Sequence, residues 1–225
     1  VSALIGTLVV SRETEERLRT LLELVKRWTG RINLVGSSTL PDAWRRHIVD
    51  SAQLWPLAPP ATLWRDYGSG AGFPGLVIAA IAAEHAPDTR VELVEADQRK
   101  AVFLATAVRA LGLDVTVHAA RAESLALPRA EVISARALAP LSTLLQLAFS
   151  QRDPAGIALF PKGETVHKEL ADAARSWSFV HRLHPSLTDP RSAIIEIGRI
   201  DGPHTAPDPR PRQPERRRGE DNHGH

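Results

Sequence analysis

The 225-residue sequence contains no cysteine. That excludes a disulfide framework, a cysteine-held zinc ribbon, an iron–sulfur cluster and a thiol nucleophile. Methionine is absent too, and nothing physical follows from that alone. Aromatic residues make up 5%, with one tyrosine, Tyr67. No apolar run approaches the ~18–20 residues of a membrane-spanning helix. The opening segment is mildly apolar but lacks a basic leader and a clear cleavage site. A secretory signal is therefore not expected, and the cytoplasm is the expected compartment. A dominant charge is lacking as well: 28 Lys and Arg stand against 26 Asp and Glu, a formal +2. This balance does not demand a nucleic-acid partner, but it permits a local basic face. Lysine stands only at 26, 100, 162 and 168, so arginine supplies nearly all the cations and suits bidentate phosphate contacts. What is present is ordinary for a soluble globular protein: 43% hydrophobic and 24% charged residues. The length allows one domain with an appendage.

Along the chain, Leu18, Leu21, Leu22, Val25 and Trp28 follow helical spacing and predict a helix over 12–29, with Ser11 as its cap and Gly30 as its end. A second helix is expected after Pro41, with Trp44, Ile48, Ala52 and Trp55 as its apolar stripe. Pro56, Pro59 and Pro60 then break the chain. Residues 1–60 thus read as a small helical extension. Beyond 61, short apolar strands (62–67, 90–95, 115–119, 131–135, 156–160) alternate with helices (76–84, 99–111, 142–149, 164–176). This alternation means βαβ units and a mostly parallel, doubly wound sheet. Segments 179–183 and 193–200 have no helix between them and predict an antiparallel hairpin closing the sheet edge. Residues 201–225 are rich in Pro, Arg and acids and nearly free of apolar side chains, so a disordered tail is expected.

The most informative stretch is Asp66-Tyr-Gly-Ser-Gly-Ala-Gly-Phe-Pro-Gly75, between a predicted strand and a predicted helix. Gly68, Gly70 and Gly72 let the backbone turn tightly and approach a ligand closely. Gly70 to Gly75 also satisfies the dinucleotide pattern G-x-G-x-x-G, a weak signal by itself. Asp66, just before the first glycine, would repel a pyrophosphate and suits the cationic methionyl end of S-adenosylmethionine, met directly or through water. Glu95 closes the next strand at the C-terminal edge of the sheet, where ribose hydroxyls are read in such folds. Ala122 and Glu123 follow the third strand and are placed to line an adenine pocket.

Several further blocks carry a more specific resemblance. They are Arg46-His-Ile-Val-Asp-Ser51, Arg99-Lys-Ala-Val-Phe-Leu104, Arg121-Ala-Glu123, Ser134-Ala-Arg-Ala-Leu-Ala-Pro140 and Pro161-Lys-Gly163. Together with the glycine loop, and in this order over about 15–200, they resemble the bacterial 16S ribosomal RNA guanine-N7 methyltransferases, the RsmG (GidB) family. The resemblance implies a class I S-adenosylmethionine-dependent methyltransferase fold of the α/β, Rossmann-like type with an N-terminal helical extension. It implies S-adenosylmethionine as cofactor and a guanine in the 530 loop of 16S RNA as acceptor. It places cofactor contacts at Gly68, Phe73, Ala122, Glu123 and Arg136. Two positions depart from the family pattern: Glu95 replaces an Asp, and Tyr67 a small aliphatic residue.

The chemistry agrees. Methylation at carbon 5 of a pyrimidine needs a Cys nucleophile, and radical methylation needs a cysteine-held cluster. Exocyclic amines are commonly methylated beside an Asn/Asp-Pro-Pro-Tyr/Phe tetrad, where this chain reads Ser134-Ala-Arg-Ala. Guanine N7 carries no proton, so alignment of the reactants suffices, and alignment can supply ~7–11 kcal/mol of a barrier. The candidate catalytic residues are Arg136, His47 and Asp50. Arg136 can bind the cofactor carboxylate or the guanine O6, or pair with Asp50 or Glu131 for structure. His47 and Asp50, at i and i+3 on one helix face, can orient the pocket wall or the RNA, or form a structural hydrogen bond. Arg31, Arg45, Arg46, Arg99, Lys100 and Lys162 are expected to contact RNA phosphates, which makes binding salt-dependent. The partner is 16S RNA, the 30S subunit or its precursor. A monomer without metal is expected. Competing readings are a nicotinamide-dependent oxidoreductase, a non-catalytic ribosome-assembly factor, and a small-molecule methyltransferase with the helical extension as lid.

Overall fold

The computed structural model describes residues 2–204. It begins with an antiparallel hairpin, β1 (Ser2–Ile5) and β2 (Leu8–Ser11), turned at Gly6. The expected helical extension is thus preceded by a hairpin that the sequence reading did not include. Helix α1 (Arg12–Ile32) starts as expected, with the Ser11 hydroxyl accepting from Thr14 N at 3.2 Å. Glu84 accepts from Ser11 N and from the Ser11 hydroxyl, both at 2.9 Å, and so fastens the start of α1 to the end of a later helix. Leu18, Leu21, Leu22 and Val25 are buried, and Trp28 meets Phe103 edge-on at 5.6 Å. The helix runs past Gly30 to Asn33, whose φ of 41° closes it. Asparagine tolerates this left-handed conformation, so a glycine is not needed.

The second expected helix is broken into pieces. A 3₁₀ turn (Ser37–Asp42) leads into a π-helical turn (Trp44–Val49), a short α2 (Asp50–Ala52) and another 3₁₀ turn (Trp55–Leu57). The Ser51 hydroxyl donates to His47 O at 2.6 Å within this stretch. Ile48 and Ala52 are buried as expected, whereas Trp44 and Trp55 are only half-buried.

The main sheet follows: β3 (Leu63–Tyr67), α3 (Gly75–His85), β4 (Arg90–Val94), α4 (Gln98–Leu111), β5 (Val115–His118), β6 (Ala130–Ala135), α5 (Leu141–Gln151), β7 (Arg152–Lys162), α6 (Val166–Ala174), β8 (Trp177–Pro185) and β9 (Ala193–Pro203). Spatial order is β5-β4-β3-β6-β7-β9-β8. The first five strands are parallel, and β9 is antiparallel to both its neighbours. The terminal hairpin is therefore not appended in chain order: β9 inserts beside β7, and β8 forms the edge. The strand also extends to Pro203, past the expected start of the tail, and 205–225 lie outside the described residues.

Every residue of β3 is buried, as a central parallel strand requires. Helix α3 is apolar on all sides because it is sandwiched between the sheet and α1 with α2. One core cluster lies on that face of the sheet, and a second lies under α5 and α6. Asp66, Glu95 and Arg136 all stand at the C-terminal ends of β3, β4 and β6. In open α/β sheets this edge is where ligands bind.

Candidate cofactor and acceptor crevices

The glycine loop turns directly off β3. Gly68, Gly70 and Gly72 all have positive φ (65°, 53° and 86°). Gly68 N and Ser69 N both donate to Val94 O, at 2.8 and 3.2 Å, so the loop is pinned to the end of β4. A Cβ at Gly68 would stand 2.6 Å from Leu138 Cδ1. The missing side chain is what lets the loop after β6 close over this point.

Glu95 is 8% exposed and holds the loop from below. Its Oε2 accepts from Gly70 N and its Oε1 from Asp97 N, both at 2.8 Å. A carboxylate offers about four acceptor positions, so two remain for a ligand. A crevice of about 340 Å³ opens here, between Gly68, Gly70 and Glu95 on one side and Ala122, Glu123 and Leu138 on the other.

Asp66 is placed differently from the expectation. It is fully buried and lines none of the crevices described here. Its Oδ1 accepts from the Ser134 hydroxyl at 2.6 Å, which in turn accepts from Trp64 Nε1 at 3.0 Å. Burial pushes the carboxyl up to about 6, and the Ser134 hydrogen bond opposes this. Direct contact between Asp66 and a cofactor does not follow from this geometry. The side chain instead props the loop, in space that Gly75 leaves by lacking a Cβ: one there would lie 2.8 Å from Asp66 Oδ2. Tyr67 is also fully buried and packs beneath the loop on the α5 side.

On the other side of Leu138, four segments meet. Arg136 Nη1 donates to Asp50 Oδ2 at 3.1 Å and to Arg46 O at 3.2 Å. Its Nη2 lies 3.3 Å from His47 Nδ1. The structural pair of Arg136 with Asp50 is thus present, and Glu131 is engaged elsewhere, by Thr62 and Leu63. Asp50 Oδ1 accepts from the Thr188 hydroxyl at 2.7 Å and from Gln53 Nε2 at 3.0 Å. His47 stacks on Phe73, with ring centroids 4.9 Å apart and planes at 10°, and the Arg136 guanidinium lies 5.4 Å over the same phenyl ring.

Burial, and next the Arg136 charge, lower the His47 pKa to about 4. The ring is therefore neutral near pH 7. A guanidinium can only donate, so Nδ1 is the acceptor and Nε2 carries the proton. That proton points to the Thr39 hydroxyl, 3.0 Å away, which donates onward to Gly36 O at 2.7 Å. Ala137, next to Arg136, has a φ of 53°. Such a left-handed alanine costs roughly 1–2 kcal/mol. The sharp turn sends Arg136 toward Asp50 and Leu138 toward Gly68.

Two further crevices adjoin this junction. One, of about 820 Å³, runs from Arg136 along the ends of β6 and β7 to α6. The other, of about 550 Å³, brings together Arg45, Arg46, Arg136 and Arg191. Arg45 and Arg46 are exposed there; Arg31 is exposed at the end of α1, and Arg99 at the start of α4, paired with Asp97 at 3.1 Å. Lys100 lines the smaller crevice beside Glu95. Lys162 does not present a free ammonium. It is 8% exposed, donates to Ala139 O at 2.8 Å and pairs with Glu169 at 2.7 Å. Sequence reasoning missed Thr188 and Arg191, which sit in the turn between β8 and β9, and Leu138, which stands between two crevices. Only the turn residues around Pro190 signalled a loop there, and nothing local assigns it to Asp50.

A parallel sheet of this order, with a glycine loop after its central strand and an acidic residue closing the next, defines a Rossmann-like domain of the methyltransferase type. A family model described as rRNA small subunit methyltransferase G matches residues 14–192, and the chain belongs to that family. Ribosomal RNA small subunit methyltransferase G of Cereibacter sphaeroides is 54% identical over 189 residues, which covers 84% of this chain and 91% of that protein. Among solved structures, a putative O-methyltransferase from Klebsiella pneumoniae superposes with a TM-score of 0.55 at 14% identity, covering 84% of this chain and 91% of the other. A SAM-dependent methyltransferase from Aquifex aeolicus gives 0.50 at 15% identity, covering 66% and 87%. At such identities the likeness concerns the fold.

Proposed function

We propose that this chain transfers the methyl group of S-adenosylmethionine to N7 of a guanine in the 530 loop of 16S ribosomal RNA. It does so by alignment, without a general base. The observation that carries the mechanism is that the candidate bases at the junction are engaged by Arg136. His47 Nδ1 faces its guanidinium, and Asp50 is ion-paired with it while Oδ1 also accepts from Thr188 and Gln53. Guanine N7 needs no base, because its lone pair is free.

The residues fit the cofactor. Gly68 and Gly70 leave the loop open to close approach, Ala122 and Glu123 wall the adenine side, and Glu95 keeps two acceptor positions for ribose hydroxyls. S-adenosylmethionine supplies the methyl group from its sulfonium. Arg136 spends three of its five N–H groups on Asp50, Arg46 and His47, which leaves Nε and one Nη2 hydrogen. These are free for the cofactor carboxylate or the guanine O6. Phe73 and His47 hold the guanidinium over a flat, neutral floor. Asp66 acts from beneath the loop rather than on the ligand. Residues 1–60 serve as an extension that delivers His47 and Asp50 to the domain of 61–200.

For RNA, Arg45, Arg46 and Arg191 form one basic wall, and Arg99 and Lys100 a second beyond Glu95; Lys162 stays a structural cation. The target base is splayed out of its stack, at a cost of a few kcal/mol that is least in loops. A cytoplasmic monomer acting on the RNA, the 30S subunit or its precursor completes the reading. Among the described residues no helix is long and apolar enough to cross a membrane, and no His, Asp and Glu cluster has the makings of a metal site.

The test is methyl transfer from labelled S-adenosylmethionine to unmethylated 30S subunits and to free 16S RNA, mapped by cleavage at N7-methylguanine. One modified guanine in the 530 loop is expected. Cofactor binding without transfer to either substrate would show that the acceptor is another molecule.

A further inference from the structure

A parallel crossover usually carries a helix over the sheet. Between β5 and β6, residues 119–129 instead run back as irregular chain with a single 3₁₀ turn, Ala122–Ser124. Carbonyls of such a segment have no ladder to join, and they are costly to bury unless side chains answer them. Here side chains from the core do so. Gln151 Nε2, at the end of α5, donates to Ala122 O at 2.7 Å and to Leu125 O at 3.4 Å. Arg65, fully buried on β3, donates to Pro128 O at 2.9 Å. Gln151 is itself oriented, because the Tyr67 hydroxyl donates to its Oε1 at 2.7 Å. The two carbonyls can only accept, so Nε2 must face them, and Oε1 is left to take the Tyr67 hydroxyl proton. Tyr67 is the residue immediately before Gly68. One buried phenol therefore joins the root of the glycine loop to the opposite wall of the same crevice.

We propose that Tyr67 and Gln151 are positioning residues for the adenosine end of the cofactor. Through the path Tyr67–Gln151–Ala122 they set the spacing between the glycine loop and the wall at 122–125. The proposal rests on the reading of that crevice as the S-adenosylmethionine site. Neither side chain lines the crevice, so neither touches the ligand. Their effect is on affinity, not on the alignment of methyl group and base.

Tyr67→Phe removes only the hydroxyl, and Gln151→Leu removes both ends of the amide at similar volume. The full chain is titrated with S-adenosylhomocysteine by calorimetry, and methyl transfer to 30S subunits is followed at varied S-adenosylmethionine. Loss of one buried neutral hydrogen bond corresponds to about a fivefold fall in affinity for Tyr67→Phe, and Gln151→Leu, which also gives up the bonds to Ala122 O and Leu125 O, loses at least as much. KM for S-adenosylmethionine rises by the same factor, while kcat stays within about twofold. The double variant loses no more than the worse single one, because the two residues act in series. Amide exchange in 121–125 quickens in the ligand-free variants. Lower thermal stability with unchanged affinity would reduce the pair to packing and overturn the proposal. So would a loss of affinity without faster exchange at 121–125, or a fall in kcat at constant KM. Failure of the underlying cofactor reading shows separately, as an unaltered chain that does not bind S-adenosylhomocysteine; that result overturns both.

Discussion

On the β3–β4 side of the sheet, the crevice is made of main chain. Glycine amides, a strand-end carbonyl and one clasped carboxylate shape it, all within residues 66–97. On the β6 side the junction is made of side chains. Arg136 meets Asp50 from 86 positions away, and Asp50 meets Thr188 from 138 positions away. The first region is sensitive to an added Cβ. The second is sensitive to the shape and charge of a few long side chains. Each fails in its own way, and that difference can be measured.

The largest effect is expected at Arg136. Arg136→Ala leaves Asp50 and His47 without their shared donor and lowers turnover on 30S subunits by more than about 100-fold, the scale of a 1 Å misplacement. Arg136→Lys should restore little, because a single ammonium cannot reach Asp50, Arg46 O and His47 together. Wild-type turnover in the lysine variant would show that the junction needs only charge, and would erase the contrast. Next comes Gly68→Ala. The left-handed φ alone costs roughly 1–2 kcal/mol, and the new Cβ displaces Leu138. Affinity for S-adenosylhomocysteine, measured by calorimetry, should fall about tenfold. Gly70→Ala has a similar φ, but its Cβ meets only Gly68 O, at 3.7 Å, so its loss should be smaller. Equal losses would mean that Leu138 is not the neighbour that matters.

The subtlest contrast is in pH. His47 titrates at about 4 when folded and near 6.5 when free. Its contribution to stability is present above 6.5 and is lost as pH falls toward 4, because the unfolded chain binds the extra proton. Asp66 is shifted the other way, up to about 6 from 3.8. Its contribution is present below 3.8 and is lost as pH rises through 6. The two slopes oppose each other between pH 4 and 6. Relative to the unaltered protein, His47→Gln should tilt stability downward with rising pH in urea titrations, and Asp66→Asn should tilt it upward. A shared direction of tilt would mean that one of the two burials is misjudged.

Much of the main-chain side was legible in the sequence because it is local. The run from Asp66 to Gly75 contains its own turn, and the strands around it show their period in consecutive residues. Helix α1 was legible for the same reason, down to Ser11 at its start. Its end was not, since Gly30 and Asn33 both permit a stop and only packing chooses between them. The broken stretch around His47 shows an apolar stripe that any helix would share, and nothing in that stripe marks a π-helical turn or the contact of His47 with Arg136, 89 positions away. Lys162 reads as a basic surface residue until Glu169, seven positions on, is folded against it. Asp66 was recognised as important, but its direction depends on Ser134, 68 positions away. The helix-free crossover at 119–129 left no apolar period to read, and its supports, Arg65 and Gln151, lie in other elements.

The position of β9 has a consequence for the order of assembly. In the sheet, β8 touches only β9, although it comes first in the chain. It cannot join the sheet until β9 has been made and has docked on β7. The turn bearing Thr188 and Arg191 lies between those two strands. A chain folding from its N-terminus as it is synthesised therefore completes the glycine loop early and the Asp50–Thr188 contact among the last. The crevice that Arg45, Arg46 and Arg191 line is complete only after nearly all of the polypeptide is in place.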